Sequence, residues 1–255
     1  MTLGHFIAIF VAGLAAGTIN TVVGSGSLIT FPTLVTLGYA PLVANVSNNI
    51  GLVPGSVSGM YGYRRELRGQ ARRLLRLAPM SALGGATGSL LLLALPSSVF
   101  KKVVVVLIAI ALVLVVSQPK LARRLAARRD ANVASSDSVP PVLAFLVCAA
   151  GVYGGYFGAA QGIILIAMLG IFLDDELQRL NACKNVLAGT VNGVASIAFL
   201  VNWHHIDWAV VGIIAVGSTL GGQIGAKVGR RFNTKVLRGV IVVVGLAALV
   251  RILVK

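Results

Sequence analysis

Two long apolar segments of the sequence are interrupted by glycine and small polar residues, and these interruptions constrain the fold most strongly. The first is Gly24-Ser25-Gly26-Ser27, and the second is Ala159-Ala160-Gln161-Gly162. Within a bilayer, a broken helix is tolerated only where its unpaired backbone groups are buried in protein or line a cavity. Breaks at corresponding positions in two halves of a chain are typical of a transporter's binding site. We therefore expect the chain to be arranged around these two breaks.

The overall composition is that of a membrane protein. Hydrophobic residues make up 57% of the 255-residue chain and charged residues only 11%. A soluble domain of this length cannot bury so much apolar surface, so we predict an all-α integral membrane protein. The predicted apolar segments, of which the first and fifth carry the interruptions, are 3–37, 41–62, 77–95, 103–117, 140–173, 178–201, 207–228 and 236–254.

One long polar stretch divides the chain into two halves. We predict a first transmembrane repeat over 1–118, a cytoplasmic linker rich in basic residues and serine over 119–139, and a second transmembrane repeat over 140–255. The halves resemble each other weakly, because Gly26 corresponds to Gly162 and Asn48 corresponds to Asn185 at nearly the same spacing. The N-terminus has no basic n-region, so we expect the first span to be retained.

Basic residues give the chain a net charge of +15, but their positions argue against a nucleic-acid surface. Sixteen of the 22 Lys and Arg residues fall into three short clusters, at 64–76, 120–129 and 227–238. Each cluster lies between apolar segments, as expected of cytoplasmic loops. We therefore predict no nucleic-acid partner and assign the positive charge to topology.

The same charge bias predicts how the halves are oriented. The loop at 202–206 has no Lys or Arg, so we expect it outside, while 174–179 lies inside. Segments 3–37 and 140–173 then begin and end on the same side and form hairpins. Each half becomes a broken-helix hairpin plus three transmembrane helices, which gives two inverted-topology repeats. Eight full crossings in parallel repeats fit less well, because they place 202–206 inside.

The breaks are the first candidate binding site. A half-helix that begins near Ser27 or Ile163 offers unpaired N–H groups and a positive dipole end, which suits an anion. The alternative is that the glycines merely allow close helix packing. We favour packing for Gly13, Gly17 and Gly151 and binding for the glycines at the breaks.

The second candidate constellation is Ala44–Asn49 together with Asn181–Asn185. Asn48 and Lys184 each lie about seven residues inside their segments, or about 10 Å at the helical rise. Lys184 is far from any predicted interface, and a charge within the membrane is costly, so a functional role is the default hypothesis. The alternative is that its ammonium snorkels to the cytoplasmic interface beside 174–176.

Other polar residues in the spans are weaker candidates. Hydrogen bonds between helices explain Asn20, Tyr156 and Asn192 about as well as substrate binding does. His204 and His205 have no further ligand at metal-site spacing, so we interpret their loop as an interfacial anchor and predict no metal site. We find no nucleotide-binding loop, nucleophile elbow or paired intramembrane carboxylates, and we predict no cofactor and no enzymatic activity.

Several motifs together resemble those of the TauE/SafE sulfite exporter family. The first repeat carries Asn20 to Pro32, Gly38-Tyr39-Ala40-Pro41 and Ala44 to Asn49; the second carries Gly155 to Gly162 and Lys184-Asn185. Gly26-Ser27 stands where many members have two glycines, and Ala159-Ala160-Gln161 replaces a more glycine-rich run. The resemblance implies two four-segment repeats in the inner membrane of a bacterium or archaeon. It also implies transport of sulfite, sulfonates such as sulfoacetate, or related sulfur-containing anions.

We therefore expect a secondary transporter that binds a small sulfur-containing anion near the bilayer midplane and works by alternating access, and we favour export. The alternatives are a passive anion channel and a non-transporting subunit of a larger complex. Proton coupling and a homodimer are both compatible with the sequence. The predicted substrate-binding residues are Asn20, Gly24, Ser25, Gly26, Ser27, Ser47, Asn48, Tyr156, Gln161, Gly162, Lys184 and Asn185.

Overall fold

A computed structural model describes residues 1–129, 139–201, 203–228 and 234–254. All regular structure in these ranges is helical, with no strand. A short 3-10 helix, Trp203–His205, precedes the ninth α-helix. The α-helices are α1 Leu3–Val22, α2 Ser27–Thr36, α3 Pro41–Gly62, α4 Ala71–Ala94, α5 Ser97–Arg129, α6 Pro141–Tyr156, α7 Gln161–Phe172, α8 Leu177–Leu200, α9 Trp208–Val228 and α10 Thr234–Val254.

The helices confirm an all-α integral membrane protein. Among the described residues, five helical stretches are long and apolar enough to cross a bilayer: Leu3–Val22, Ala71–Ala94, Val99–Ser117, Leu177–Leu200 and Trp208–Lys227. In contrast, α2, α6 and α7 are shorter apolar helices. Both interrupted segments are thus pairs of helices, α1 with α2 and α6 with α7, separated at the predicted breaks.

Two helices extend beyond their apolar segments. α4 begins at Ala71 and includes the basic residues that precede the predicted start at 77. α5 continues to Arg129, so the basic part of the predicted linker is helical, while 130–138 lies outside the described residues. Arginine and alanine are good helix formers, so the helix does not stop where the apolar pattern stops.

The packing pairs of one half recur with the halves exchanged. α1 packs on α9 and α3, while its counterpart α6 packs on α4 and α8. α3 packs on α9 as α8 packs on α4, and α10 contacts α2 as α5 contacts α7. The helices of the two halves therefore interlock and do not form separate bundles.

Glycines let these helices approach closely, as predicted for three of them. A Cβ on Gly17 would lie 2.2 Å from the Ser218 carbonyl oxygen of α9. A Cβ on Gly13 would lie 3.1 Å from Ile214 Cα, and one on Gly151 would lie 2.8 Å from the Ser81 carbonyl oxygen. Small residues at such crossings maximise dispersion contacts where no hydrophobic effect drives association. Packing is therefore sufficient to explain these positions.

The connections that join the helices cluster at two ends. At one end, the α3–α4 connection meets the α7–α8 connection, and Arg179 donates to the Arg68 carbonyl across them (3.1 Å). At the other end, the 3-10 helix packs on α3, and the Asp207 N–H donates to Ser47 Oγ (2.9 Å). Stretches 64–76 and 174–179 thus lie together, as a shared side of the membrane requires. The inverted orientation itself remains a prediction.

Candidate functional site

The first break separates α1 from α2. α1 ends at Val22, and Gly24 has a φ of +85°, a left-handed conformation that glycine adopts without a steric penalty. The chain turns there and α2 begins at Ser27. None of the N–H groups of Ser25, Gly26 and Ser27 donates to an acceptor within the described part of the chain. They are the unpaired donors that any helix start leaves.

The second break separates α6 from α7. Gly158 has a φ of +78° and Ala160 a φ of +61°, so a non-glycine residue also adopts the left-handed conformation here. α7 begins at Gln161, two residues before the predicted start at Ile163. The Gln161 side chain lies directly against Gly154 of α6, where a Cβ would come within 2.4 Å of its Nε2. The Gln161 side chain thus fills the space beside Gly154 that a larger residue would occupy.

The two breaks are in direct contact. The Gly162 N–H donates to the Gly24 carbonyl oxygen at 3.0 Å. A Cβ placed on either glycine would lie 2.4 Å from the Cα of the other, so no larger residue fits at either position. Two segments from opposite halves of the sequence therefore form one structural centre.

Three residues at or next to the two breaks carry buried polar side-chain atoms without a partner in the described part of the chain. Ser25 Oγ, Gln161 Nε2 and Tyr156 OH are buried and have no hydrogen-bond partner among the described residues. The exposed fractions of these residues are 1% for Ser25, 3% for Gln161 and 7% for Tyr156. An unsatisfied buried polar group costs about 1–3 kcal/mol, so several on neighbouring segments indicate a missing partner. The amide Nε2 and the backbone N–H groups only donate, and the hydroxyls can donate, so a hydrogen-bond acceptor such as an anion fits all of them.

Lys184 lies against the end of α1. It is only 1% exposed, and its Nζ donates to the Asn20 carbonyl (3.1 Å) and the Thr21 carbonyl (3.2 Å). These carbonyls have lost their helical partners at the break, and a cation is favourable at the negative end of a helix dipole. The ammonium therefore does not snorkel to the surface in this structure, and its buried position agrees with the functional hypothesis.

Asparagine amides also donate to a backbone carbonyl at the end of the helix before each break. Asn181 and Asn185 each donate to the Thr21 carbonyl at 3.2 Å, and Asn181 also donates to Tyr63 OH at 3.0 Å. At the second break, Asn45 donates to the Tyr156 carbonyl at 3.1 Å. α3 and α8 thus hold the helix ends of the opposite half.

Asn45 and Asn181 were not among the predicted site residues. They are separated by the same number of positions as Gly26 and Gly162, and this spacing could have identified them as a corresponding pair. The role of Thr21 lies in its backbone carbonyl, which has no signature in the sequence.

The other predicted residues lie close by but have other partners. Asn48 accepts a hydrogen bond from Thr30 of α2, and so braces the helix that follows the first break. Ser47, in the N-terminal part of α3, accepts a hydrogen bond from the Asp207 N–H. The Tyr156 ring packs on Phe100 with centroids 5.8 Å apart. Asn20 contributes its carbonyl to Lys184, and the structure assigns no bond to its side chain.

An ionic network lies beyond Lys184, toward the end of the bundle. Asp175 bonds to Arg73 and Arg179 at 2.7 Å each. Burial raises the pKa of Asp175, but hydrogen bonds from Arg73, the Glu176 N–H and Arg179 outweigh burial and leave the pKa below its ordinary value. Arg73 is in α4 and Arg179 in α8, so the network joins the halves.

Metal binding has no support from the described residues. Across residues 1–129, 139–201, 203–228 and 234–254, no cluster of three or more His, Cys, Asp or Glu residues could hold a metal ion. Cys148 and Cys183 are not joined in a disulfide. The interfacial role of His204 and His205 remains a prediction.

The helical bundle and its paired breaks define a multi-pass membrane protein built like a transporter. A family model for the sulfite exporter TauE/SafE matches residues 9–252. The chain belongs to this family. The names of the family and of its relatives indicate a membrane transporter, which is not a class of enzyme.

Curated relatives match along nearly the whole chain. A probable membrane transporter protein of Haemophilus influenzae is 28% identical over 92% of this chain and 89% of its own length. One from a Sinorhizobium species is 28% identical over 98% and 93%. YfcA of Escherichia coli, also a probable membrane transporter protein, is 25% identical over 92% and 85%. No solved structure matches the chain significantly.

Proposed function

We propose that the chain is a secondary transporter that moves a small sulfur-containing anion, such as sulfite or an organosulfonate, by alternating access. The observation that carries this proposal is the meeting of the two breaks at Gly24 and Gly162, surrounded by buried donors without partners in the described part of the chain. The name of the family model, sulfite exporter, supports both the substrate class and an outward direction. The cytoplasmic membrane of a bacterium or archaeon is the proposed location.

In this proposal, the anion binds where the donors converge. Ser25 and the N–H groups of Ser25 to Ser27 provide one side, and Gln161 and Tyr156 provide the other. Sulfite and sulfonates each present three oxygens, which several donors can share. The third N–H of the Lys184 ammonium, not used by the two carbonyls, is available to the anion.

The exchanged packing of the halves supports the inverted repeat and alternating access. If the hairpins enter from opposite sides, rocking one half against the other exposes the same centre first to one side and then to the other. In this proposal, the Arg73–Asp175–Arg179 network, which joins α4 to α8, closes one end of the pathway. Opening that end requires these ion pairs to break.

Transport by purified protein in liposomes tests the proposal. We expect saturable uptake of labelled sulfite or isethionate that is accelerated by unlabelled anion on the opposite side. An anion channel would give flux without such exchange, and a non-transporting subunit would give no flux. Either result would contradict the proposal.

A matched variant locates the site. Gln161→Glu keeps the shape of the side chain but replaces a donor with a negative carboxylate, so we expect the anion's affinity to fall by about tenfold or more. Thr87→Ser is the control, because Thr87 is exposed on α4 and bonds only to its own helix. Normal affinity in Gln161→Glu would exclude Gln161 from the site.

A further inference from the structure

Carboxylates are absent from the described membrane helices. The chain has seven Asp and Glu residues; Asp130 and Asp137 fall outside the described residues. The other five lie in connections between helices: Glu66, Asp174, Asp175, Glu176 and Asp207. Proton relays in membrane transporters usually consist of Asp, Glu or His within the helices. The described histidines lie away from the breaks, His5 in the first turn of α1 and His204 and His205 in the 3-10 helix, so proton coupling at the breaks requires another kind of group.

Lys184 differs from every other described charged residue. Only Arg73 and Lys184 have buried charged side chains in the described part of the chain. Arg73 has Asp175 as its counter-ion, whereas Lys184 forms no ion pair with any described residue and contacts two neutral carbonyl oxygens. A buried charge without a counter-ion costs several kcal/mol.

We propose that Lys184 carries the transported proton and that it is an ammonium while the anion is bound and a neutral amine while the site is empty. This inference rests on the proposed function, because the substrate anion is the counter-ion that Lys184 lacks. With a monovalent anion such as isethionate or hydrogen sulfite, the bound pair is neutral overall, and so is the empty site. In neither state must an isolated charge cross the membrane.

The hydrogen bonds of Lys184 fit both states. A neutral amine has two N–H groups, which match the Asn20 and Thr21 carbonyls. An ammonium has a third N–H, and this one is left for the anion. Gain or loss of the proton therefore changes the contact with the substrate and keeps the contacts with α1.

No titratable group that the structure describes neutralises Lys184 instead. α1 presents only backbone carbonyls to it, and α7 contains no titratable residue. Next to the other packed helices, Tyr63 at the end of α3 bonds to Asn181, and Arg73 of α4 bonds to Asp175. The remaining titratable groups on α3, α4, α6 and α8, none of which forms an ion pair with Lys184, are Tyr61, Arg72, Arg76, Cys148, Tyr153, Tyr156, Arg179 and Cys183.

The proton balance is simple. On one side of the membrane, the neutral amine takes one proton from water as the anion binds. On the other side, the anion leaves and the ammonium returns the proton to water. One proton and one anion move in the same direction, so the transport of a monovalent anion is electroneutral, and export is driven by the anion's own concentration gradient.

Proton uptake on anion binding tests this inference directly. Isethionate is added to the purified protein in weakly buffered detergent solution with a pH indicator, and binding is followed in parallel by thermal stabilisation. Because the sulfonate is a strong acid, it takes up no proton itself. We expect about one proton per anion bound at alkaline pH, and fewer as the pH falls and Lys184 is already protonated. Sodium chloride at equal ionic strength should give no uptake.

Two variants assign the proton to Lys184. In Lys184→Arg, the guanidinium stays protonated, so isethionate should still stabilise the protein but without proton uptake. Lys227→Arg, at the exposed end of α9, is the control and should behave as the wild type. Wild-type proton uptake that persists in Lys184→Arg would overturn the inference. If the arginine variant does not fold, the wild-type pH series tests the inference, because the number of protons taken up per anion should fall as the pH falls.

The outcomes separate this inference from the proposed function. Stabilisation by isethionate without proton uptake at any pH overturns the role of Lys184 in proton transfer and leaves the anion site intact. If isethionate neither stabilises the protein nor causes proton uptake, the sulfonate site itself fails, and the inference fails with it.

Discussion

The two breaks have the same location in their halves, but their helix ends are held in different ways. The Thr21 carbonyl at the first break receives Lys184 and two asparagine amides. The Tyr156 carbonyl at the second break receives Asn45 alone among the described side chains. In addition, the second break has a hydrogen bond between its own residues, because Tyr153 OH donates to the Ala159 carbonyl. Of the two breaks, the first therefore holds the positive charge.

This difference indicates that the two breaks have different roles in anion binding and in stability. The first break holds the buried amino group of Lys184, which is protonated when the anion binds, beside a row of unpaired N–H groups, and these features suit an anion. The second break supplies neutral donors and a compact turn that fixes the Gly24–Gly162 crossing. We expect substitutions of Ser25 and Lys184 at the first break to change anion binding, and substitution of Asn45, which holds the second break, to change mainly stability.

The largest loss of stability is expected for Gly24→Ala. A methyl group there would lie 2.4 Å from Gly162 Cα, and the left-handed φ adds a further penalty. We expect a loss of about 3 kcal/mol or more in the free energy of unfolding, measured by denaturant titration in detergent. Gly38→Ala is the matched control, because its φ is +99° but nothing lies within 4 Å. Equal losses in both variants would show that the crossing is not tight.

The difference between the helix caps predicts unequal costs at the two breaks. Asn45→Ala leaves the Tyr156 carbonyl without its amide donor and should cost about 1–3 kcal/mol. Asn185→Ala should cost about 1 kcal/mol or less, because the Thr21 carbonyl keeps Lys184 and Asn181. The same unfolding titration compares the two variants. A larger loss of stability for Asn185→Ala would contradict the conclusion that three donors share the Thr21 carbonyl.

The ionic network near the first break predicts a loss of stability in acid. Because the pKa of Asp175 is lower in the folded protein than in the unfolded chain, its contribution is complete above about pH 4 and is lost as the pH falls through the folded-state pKa. We expect Asp175→Asn to cost about 1–2 kcal/mol at neutral pH and to weaken the acid dependence. Asp174→Asn, an exposed neighbour, should match the wild type. An unchanged acid profile in Asp175→Asn would exclude this carboxylate as its source.

The smallest effect is expected for Ala160→Gly at the second break. Glycine removes the cost of a left-handed φ, about 1 kcal/mol, but also removes a buried methyl group. These changes oppose each other, so the free energy of unfolding should change by less than about 1 kcal/mol. A loss in thermal unfolding as large as that of Asn45→Ala would show that the methyl group is essential to the turn.

The sequence predicted the membrane class and both breaks because glycine and serine inside an apolar segment interrupt a membrane helix. It also singled out Lys184, since a single charge stands out among apolar residues. The helix limits at 71 and 129 were predicted less well, because basic residues continue a helix without continuing its apolar pattern.

The acceptors of Lys184 could not be predicted from the sequence. They are backbone carbonyls of α1, which any residue type provides, and they become available only because α1 ends at the break. Likewise, Asn48 was paired with Lys184 by its position, yet it contacts Thr30 of its own half. Spacing identifies corresponding positions, but three-dimensional packing decides their partners.

The most direct test of the shared anion site compares two serine variants. The anions are sulfite, thiosulfate, sulfoacetate, isethionate and taurine, and the measurement is thermal stabilisation of the purified protein. Ser25→Ala removes a buried hydroxyl that has no partner among the described residues, so its stability without ligand should be unchanged. Ser89→Ala on α4 is the control, because that buried hydroxyl bonds only to the Ala86 carbonyl in its own helix.

We expect at least one sulfur-containing anion to stabilise the wild type and Ser89→Ala, by about 2.7 kcal/mol at a concentration of 100 Kd. Ser25→Ala should show a much smaller stabilisation at the same concentration. Equal stabilisation of all three proteins would place the anion elsewhere. The absence of stabilisation by every anion would contradict a site for sulfur-containing anions at the paired breaks.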